Sequence, residues 1–369
     1  MATPTLRPRS SRRAAWLLVL AIAGGAAGAS ASPPRRLPGP APQGRAAGTD
    51  PREENRACEA CHEDEAREWR GSLHQRSWDD PVFLASYAVE PTAFCRKCHA
   101  PETDPTGVPE EGARRLGVGC VTCHVSGGEV TGPRERKGGA HPVRGDARLA
   151  GEGACAGCHE FDFPTAAPTS NGAPMQGTVS EHQASAHASE SCQKCHMAKV
   201  RGEGGKLHKS HDFKVVGDVA MLRSAVKAKA ARTTEREVTV TLAAQNVGHD
   251  FPTGDLYRRL EVRARGSGAG SAARSATLGR RFSMVRSATG LTRVPVGDDR
   301  LPGSGAPREV RLRFDEPIDA RELRWEVVYQ RMDPGLARVL GVDPAKDDVV
   351  VAEGVLPPLP SLRRGPEGR

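Results

Sequence analysis

The sequence predicts an α + β chain of two domains. The first is built from short helices and loops with little sheet, packed around cofactors; the second is an antiparallel β-sandwich. Three observations carry this. All 10 cysteines fall in one motif, repeated five times between residues 58 and 196. Regular apolar periodicity is weak around them, and the chain is 37% hydrophobic and 4% aromatic, a small apolar supply for its length. Beyond residue 215 the apolar period becomes two, the signature of half-buried strands.

The repeated motif is Cys-x-x-Cys-His: Cys58, Cys61 and His62; Cys95, Cys98 and His99; Cys120, Cys123 and His124; Cys155, Cys158 and His159; Cys192, Cys195 and His196. It is the attachment signature of c-type haem. The two sulfurs bond covalently to the porphyrin, and the histidine is placed under the iron as proximal ligand. Two Cys-x-x-Cys pairs could also hold zinc, but neither zinc nor a disulfide needs a histidine after every pair. Five covalently attached haem c groups, with iron, are therefore expected over residues 55–214. With so little apolar side chain in that segment, the macrocycles themselves are expected to form its interior, and the apo-segment to be unfolded.

Residues 1–31 read as a secretory signal. Arg7, Arg9, Arg12 and Arg13 precede an uncharged run from Ala14 to Gly28, and Ala29-Ser30-Ala31 is a small-x-small cleavage site. The run is short for a spanning helix. A periplasmic or exported protein is expected, cleaved near Ala31, with no integral membrane segment in the mature chain, though with room for membrane-associated partners. Residues 32–54 read as a disordered linker rich in Pro, Gly, Ala and Arg. The formal charge of +8 falls to +4 without the four arginines of the signal. The haem propionates, about ten negative charges, take it further down. No basic run with interleaved aromatics supports nucleic-acid binding.

Twelve histidines less five proximal ones leave His74, His141, His182, His187, His208, His211 and His249 for the sixth iron position. An internal repeat helps to rank them: Glu68-Trp69-Arg70-Gly71-Ser72-Leu73-His74 matches Glu181-His182-Gln183-Ala184-Ser185-Ala186-His187 as Glu-x-x-x-Ser-x-His. It selects His74 and His187. His141 follows two glycines and precedes Pro142, in a loop able to approach a macrocycle closely. His211 is favoured over His208. His249, in Gly248-His249-Asp250-Phe251-Pro252-Thr253-Gly254, is expected to project from the second domain onto an iron and fasten the two together.

Asp218 begins a connecting helix over 215–232. Residues 233–358 read as a β-sandwich of about seven strands, from the alternation of Val238, Val240 and Leu242; Leu260 and Val262; Val310, Leu312 and Phe314; Leu323, Trp325 and Val327; and a run at Val349–Val351. Gly266 to Ala276 reads as a mobile loop, and 359–369 as a disordered tail.

Several words in this chain resemble the periplasmic multihaem cytochromes related to the tetrahaem cytochrome that accepts electrons from hydroxylamine oxidoreductase. They are Glu68-Trp69-Arg70-Gly71-Ser72-Leu73-His74, Phe94-Cys95-Arg96-Lys97-Cys98-His99-Ala100-Pro101, Gly117-Val118-Gly119-Cys120 and Ser210-His211-Asp212-Phe213. The Gly-His-x-Phe-Pro-Thr-Gly loop is similar to one in relatives with a C-terminal β-domain. The resemblance covers roughly residues 55 to 260. It implies closely stacked haem pairs and electron transfer; five motifs and an appended β-domain depart from it.

The expected function is electron transfer between redox protein partners through mostly bis-His haems, with no catalytic residues. The alternative is a multihaem oxidoreductase that converts a small nitrogen or sulfur compound at an open haem. A third reading, a β-domain that docks a partner or a carbohydrate, lacks an evident aromatic platform.

Overall fold

The computed structural model describes residues 49–89, 91–104, 110–163, 174–213, 215–267, 272–287, 290–318, 322–343 and 345–359. The expected signal lies outside them, as do most of the linker and nearly all of the tail. The linker ends earlier than expected. Helix α1 (Pro51–Cys61) begins at Pro51, where Asp50 caps it by accepting the Arg52 N–H at 2.8 Å.

Ten further helices follow: α2 (Glu63–Arg70), α3 (Pro81–Val89), α4 (Ala93–His99), α5 (Glu111–Leu116), α6 (Cys120–His124), α7 (Gly153–His159), α8 (Thr178–Gln183), α9 (Cys192–His196), α10 (Val219–Ser224) and α11 (Pro334–Val339). Between the early helices run short ribbons. β1 (Val125–Ser126) pairs with β2 (Glu129–Gly132), β2 with β3 (Arg144–Gly145), β4 (Glu160–Phe161) with β5 (Gln176–Gly177), and β6 (Lys199–Arg201) with β7 (Leu207–Lys209). None is long enough to be stable alone.

Beyond α10 the chain is β-rich. β8 (Val226–Thr234), β9 (Glu237–Ala244) and β13 (Arg308–Arg313) form a three-stranded sheet in the order β13-β9-β8. β10 (Arg259–Gly266), β11 (Ala273–Ser287), β12 (Gly290–Asp298), β14 (Leu323–Gln330) and β15 (Val349–Leu356) form a five-stranded sheet, β12-β11-β10-β14-β15. Both sheets are antiparallel throughout. Alternate residues, such as Val238, Val240 and Leu242 of β9 and Leu260, Val262 and Ala264 of β10, enter one apolar cluster shared by the two sheets. The whole is a mixed α + β structure.

Three local expectations need correcting. The segment 215–232 is helical only over α10. Its cap is Asp218, which accepts the Met221 N–H at 2.9 Å. From Val226 the alternation of Val226, Ala228 and Ala230 with exposed Lys227 and Lys229 makes β8 instead. Part of the expected loop at 266–276 is strand, since β10 runs to Gly266 and β11 starts at Ala273; residues 268–271 lie outside the described residues. The hairpin β11–β12 went unread because its residues are largely small or charged, as an edge allows.

All described residues belong to one compact unit, and named contacts tie the early segment to the β-rich region. Arg331 forks onto Asp80 at 2.8 and 3.0 Å, Arg300 reaches Glu181 at 2.7 Å, and Arg280 donates to the Met175 and Pro174 carbonyls at 2.6 and 2.5 Å. Burial pushes the Asp80 carboxyl up, but the Arg331 fork outweighs it and holds the group below its ordinary value.

Candidate haem sites

Each motif forms one helical turn. The cysteines fall at i and i+3 of α1, α4, α6, α7 and α9, and the histidine ends or caps the helix. This puts both sulfurs and the imidazole on one side. None of the ten cysteines is joined to another in a disulfide. Among the described residues no three His, Cys, Asp or Glu side chains converge as a metal cluster.

Four of the five motif histidines face a second imidazole. His62 faces His141, His74 faces His159, His124 faces His211 and His196 faces His249, each with ring centroids 6.3 Å apart. That spacing is too long for a direct hydrogen bond between the two facing rings. It is the separation, about 6 Å, of two imidazoles whose nitrogens each lie about 2 Å from one iron. The interplanar angle varies, from 10° at His196–His249 to 58° at His62–His141, so the distance alone is common to the set.

The second ring nitrogens agree. Backbone carbonyls lie against Nδ1 of His99 (Ser77, 2.6 Å), His124 (Thr131, 3.0 Å), His141 (Pro142, 3.1 Å), His211 (Lys209, 2.8 Å) and His249 (Asp250, 3.0 Å). A carbonyl only accepts, so Nδ1 carries the proton and Nε2 keeps its lone pair for a metal. Burial pushes His74 down to about 3 and His159 and His249 down to about 4. All three are thus neutral near pH 7, the form that binds iron.

His74 is held by a close backbone approach. Val118 donates to the His74 carbonyl at 2.8 Å. Gly117, at φ +58°, has no room for a side chain, because a Cβ would meet the His74 and Gln75 carbonyl oxygens. Asn55, fully buried in α1, accepts the Cys120 N–H at 2.7 Å and so joins the first motif to the third. Cys98 and Cys158 are neighbours, as are Cys155 and Cys192. Phe213 bridges two pairs, with its ring 4.3 Å from His74 and 5.8 Å from His211.

Of the candidate distal residues, His74, His141, His211 and His249 are each brought opposite a motif histidine. His187 is not. Its side chain is 41% exposed and lies 3.7 Å from Glu190. His208 is also occupied elsewhere, by Glu68 at 3.0 Å. The proximal histidine left over is His99, whose ring stacks on Phe83 at 3.6 Å and 9°. Sequence reasoning missed Phe83, Phe213 and the carbonyls on Nδ1. A phenylalanine two residues after a candidate ligand was the one signal available.

Comparison with known proteins agrees. A family model described as cytochrome c554 and c-prime matches residues 57–125. The crystal structure of a penta-heme cytochrome c552 from Thermochromatium tepidum shares the fold, with a TM-score of 0.62 and 21% identity over 83% of this chain and 98% of that one. No curated protein matches the chain. The attachment motifs, the family match and the shared fold support a multihaem c-type cytochrome.

Proposed function

We propose that this chain is a pentahaem electron carrier, exported to the periplasm, that passes electrons between redox protein partners. The observation that carries the reading is the common 6.3 Å spacing of four imidazole pairs. His62 with His141, His124 with His211, His159 with His74 and His196 with His249 would each hold one haem iron from both sides, and His99 would hold the fifth from one side. Bound in this way, haem supplies reversible one-electron chemistry at an iron closed to substrate. The residues keep Nε2 free, orient each imidazole through its Nδ1 carbonyl, and bring the sites together. Cys98–Cys158 and Cys155–Cys192 place the fourth motif beside the second and the fifth, and Phe213 places it beside the third. The fourth motif is thus the branch point of the electron path.

A second reading rests on one observation: among the described residues no histidine stands opposite His99 at the spacing of the other four. If the protein converts a small nitrogen or sulfur compound, the second motif is where it does so. Carbon monoxide titration of the reduced protein separates these statements. Four closed haems predict that one haem in five binds the gas; binding at three or more would contradict the paired reading. Export is tested by the mass of the mature chain, which should begin after Ala31 and carry five haem additions.

A further inference from the structure

The repeat Glu-x-x-x-Ser-x-His has a structural meaning other than the one its histidines suggest. Its two copies fold alike. The glutamates lie in α2 and α8. After the helix, Ser72 N–H donates to the Trp69 carbonyl at 2.9 Å and Ser185 N–H to the His182 carbonyl at 3.0 Å, matched positions of the repeat. The histidines then diverge, since His74 faces a motif histidine and His187 does not. What both copies keep is the work of the glutamate.

Glu68 reaches the loop that carries His211. Its Oε2 accepts the His211 backbone N–H at 2.8 Å, and its Oε1 meets His208 Nε2 at 3.0 Å. Glu181 reaches the loop that carries His249. Its Oε2 accepts the Thr253 hydroxyl at 2.7 Å, and its Oε1 accepts Arg300 Nη2 at 2.7 Å. Arg300 in turn donates to the Pro252 carbonyl at 3.3 Å and lies 3.6 Å from Asp250, beside His249. Both carboxylates are largely shielded, with 22% and 13% of the side chain exposed. The histidine of each copy also touches the loop its glutamate holds: His74 packs against Phe213, two residues beyond His211, and His187 lies against Gly248, one residue before His249. Phe213 sits at φ +44°, a conformation that a bulky side chain adopts only when its surroundings impose it.

We propose that Glu68 and Glu181 are positioning residues, each latching the loop that presents the distal histidine of one haem: His211 for the third motif and His249 for the fifth. The inference rests on the two-histidine reading of those sites. A loop histidine must give up conformational freedom on meeting an iron, and a carboxylate that has already ordered the loop removes much of that cost. Groups that orient a metal ligand from behind commonly alter its affinity by about 10–100-fold.

The test uses the holoprotein and reads spin state and carbon monoxide affinity. Glu68→Ala and Glu181→Ala should keep all five haems by mass, because the thioethers are covalent. Each should convert the low-spin signal of one iron, in part or whole, to high-spin. That signal should be the one removed by His211→Ala or by His249→Ala respectively. Carbon monoxide affinity at that iron should rise about 10–100-fold. Glu68→Gln, which still accepts the His211 N–H, should restore the low-spin signal. Unchanged spectra in Glu68→Ala and Glu181→Ala, beside altered spectra in His211→Ala and His249→Ala, would overturn the latch alone. Unchanged spectra in the histidine variants would overturn the two-histidine reading and the latch with it. Loss of every haem signal together in a glutamate variant, with Glu68→Gln also failing, would count against a local latch.

Discussion

From Leu222 onward the chain gathers 22 buried apolar residues into one cluster between two sheets, whereas between Thr49 and Phe213 the clustered apolar residues are Trp69, Leu116, Val121 and Val125. Ala66, Trp78, Ala100, Ala113, Val143, Phe161 and Val179 are buried there outside that cluster. The β-rich region can thus be held by ordinary burial, at roughly 1.5–3 kcal/mol for each large side chain. The early segment has no such supply, and on the proposed reading the haems make up its interior. On this reading one part of the molecule folds on its side chains, and the other on the haems proposed for it.

The sharpest way to break this contrast is to produce the chain without haem attachment. Hydrogen exchange should then show amides from 49 to 213 unprotected and those of β8–β10, β13 and β14 still protected. An early segment that stays protected without haem would end the contrast. Next in size is Arg331→Ala. It leaves the largely buried Asp80 without its fork, and denaturant unfolding should show a loss of about 3–5 kcal/mol, with the early segment freed from β14 first. Leu242→Ala, at a fully buried position of β9, should cost about 2–5 kcal/mol, with the haem spectra intact until the global transition.

A smaller effect is expected with pH. His74, His159 and His249 have folded-state values depressed to about 3 and about 4, below the ordinary histidine value near 6.5. Between those limits the unfolded chain binds protons that the folded chain does not, so stability rises with pH there. This contribution is fully present above about pH 6.5 and is lost as pH falls toward about 4. Melting temperature followed from pH 7 to pH 4 should decline, and the early segment should melt first at the acid end. A flat profile would show that these imidazoles do not titrate with unfolding.

The sequence made some of this legible and left the rest hidden, for physical reasons. The attachment sites could be read because covalent chemistry fixes sulfur, sulfur and imidazole within five residues. The alternation in β9, β10, β13 and β14 could be read because each has a buried face. Opposed imidazoles come from distant parts of the chain, so local spacing carries no information on which pairs form. His74, the next histidine after the first motif, faces the histidine of the fourth. The repeat that selected His187 was real, but its shared element is the glutamate, and Glu190 occupies His187. The strands β8 and β11 went unread because most of their residues are alanine, serine, glycine, threonine, lysine or arginine, which mark a buried face only weakly.

Electron paramagnetic resonance of the ferric holoprotein, with spins counted against its iron, tests the central claim most directly. Four low-spin irons bearing two imidazoles each, and a fifth of different coordination that His99 variants alone disturb, are the predicted result. Several high-spin irons in the intact protein would contradict it, since the pairs at 6.3 Å would then not be holding iron between them.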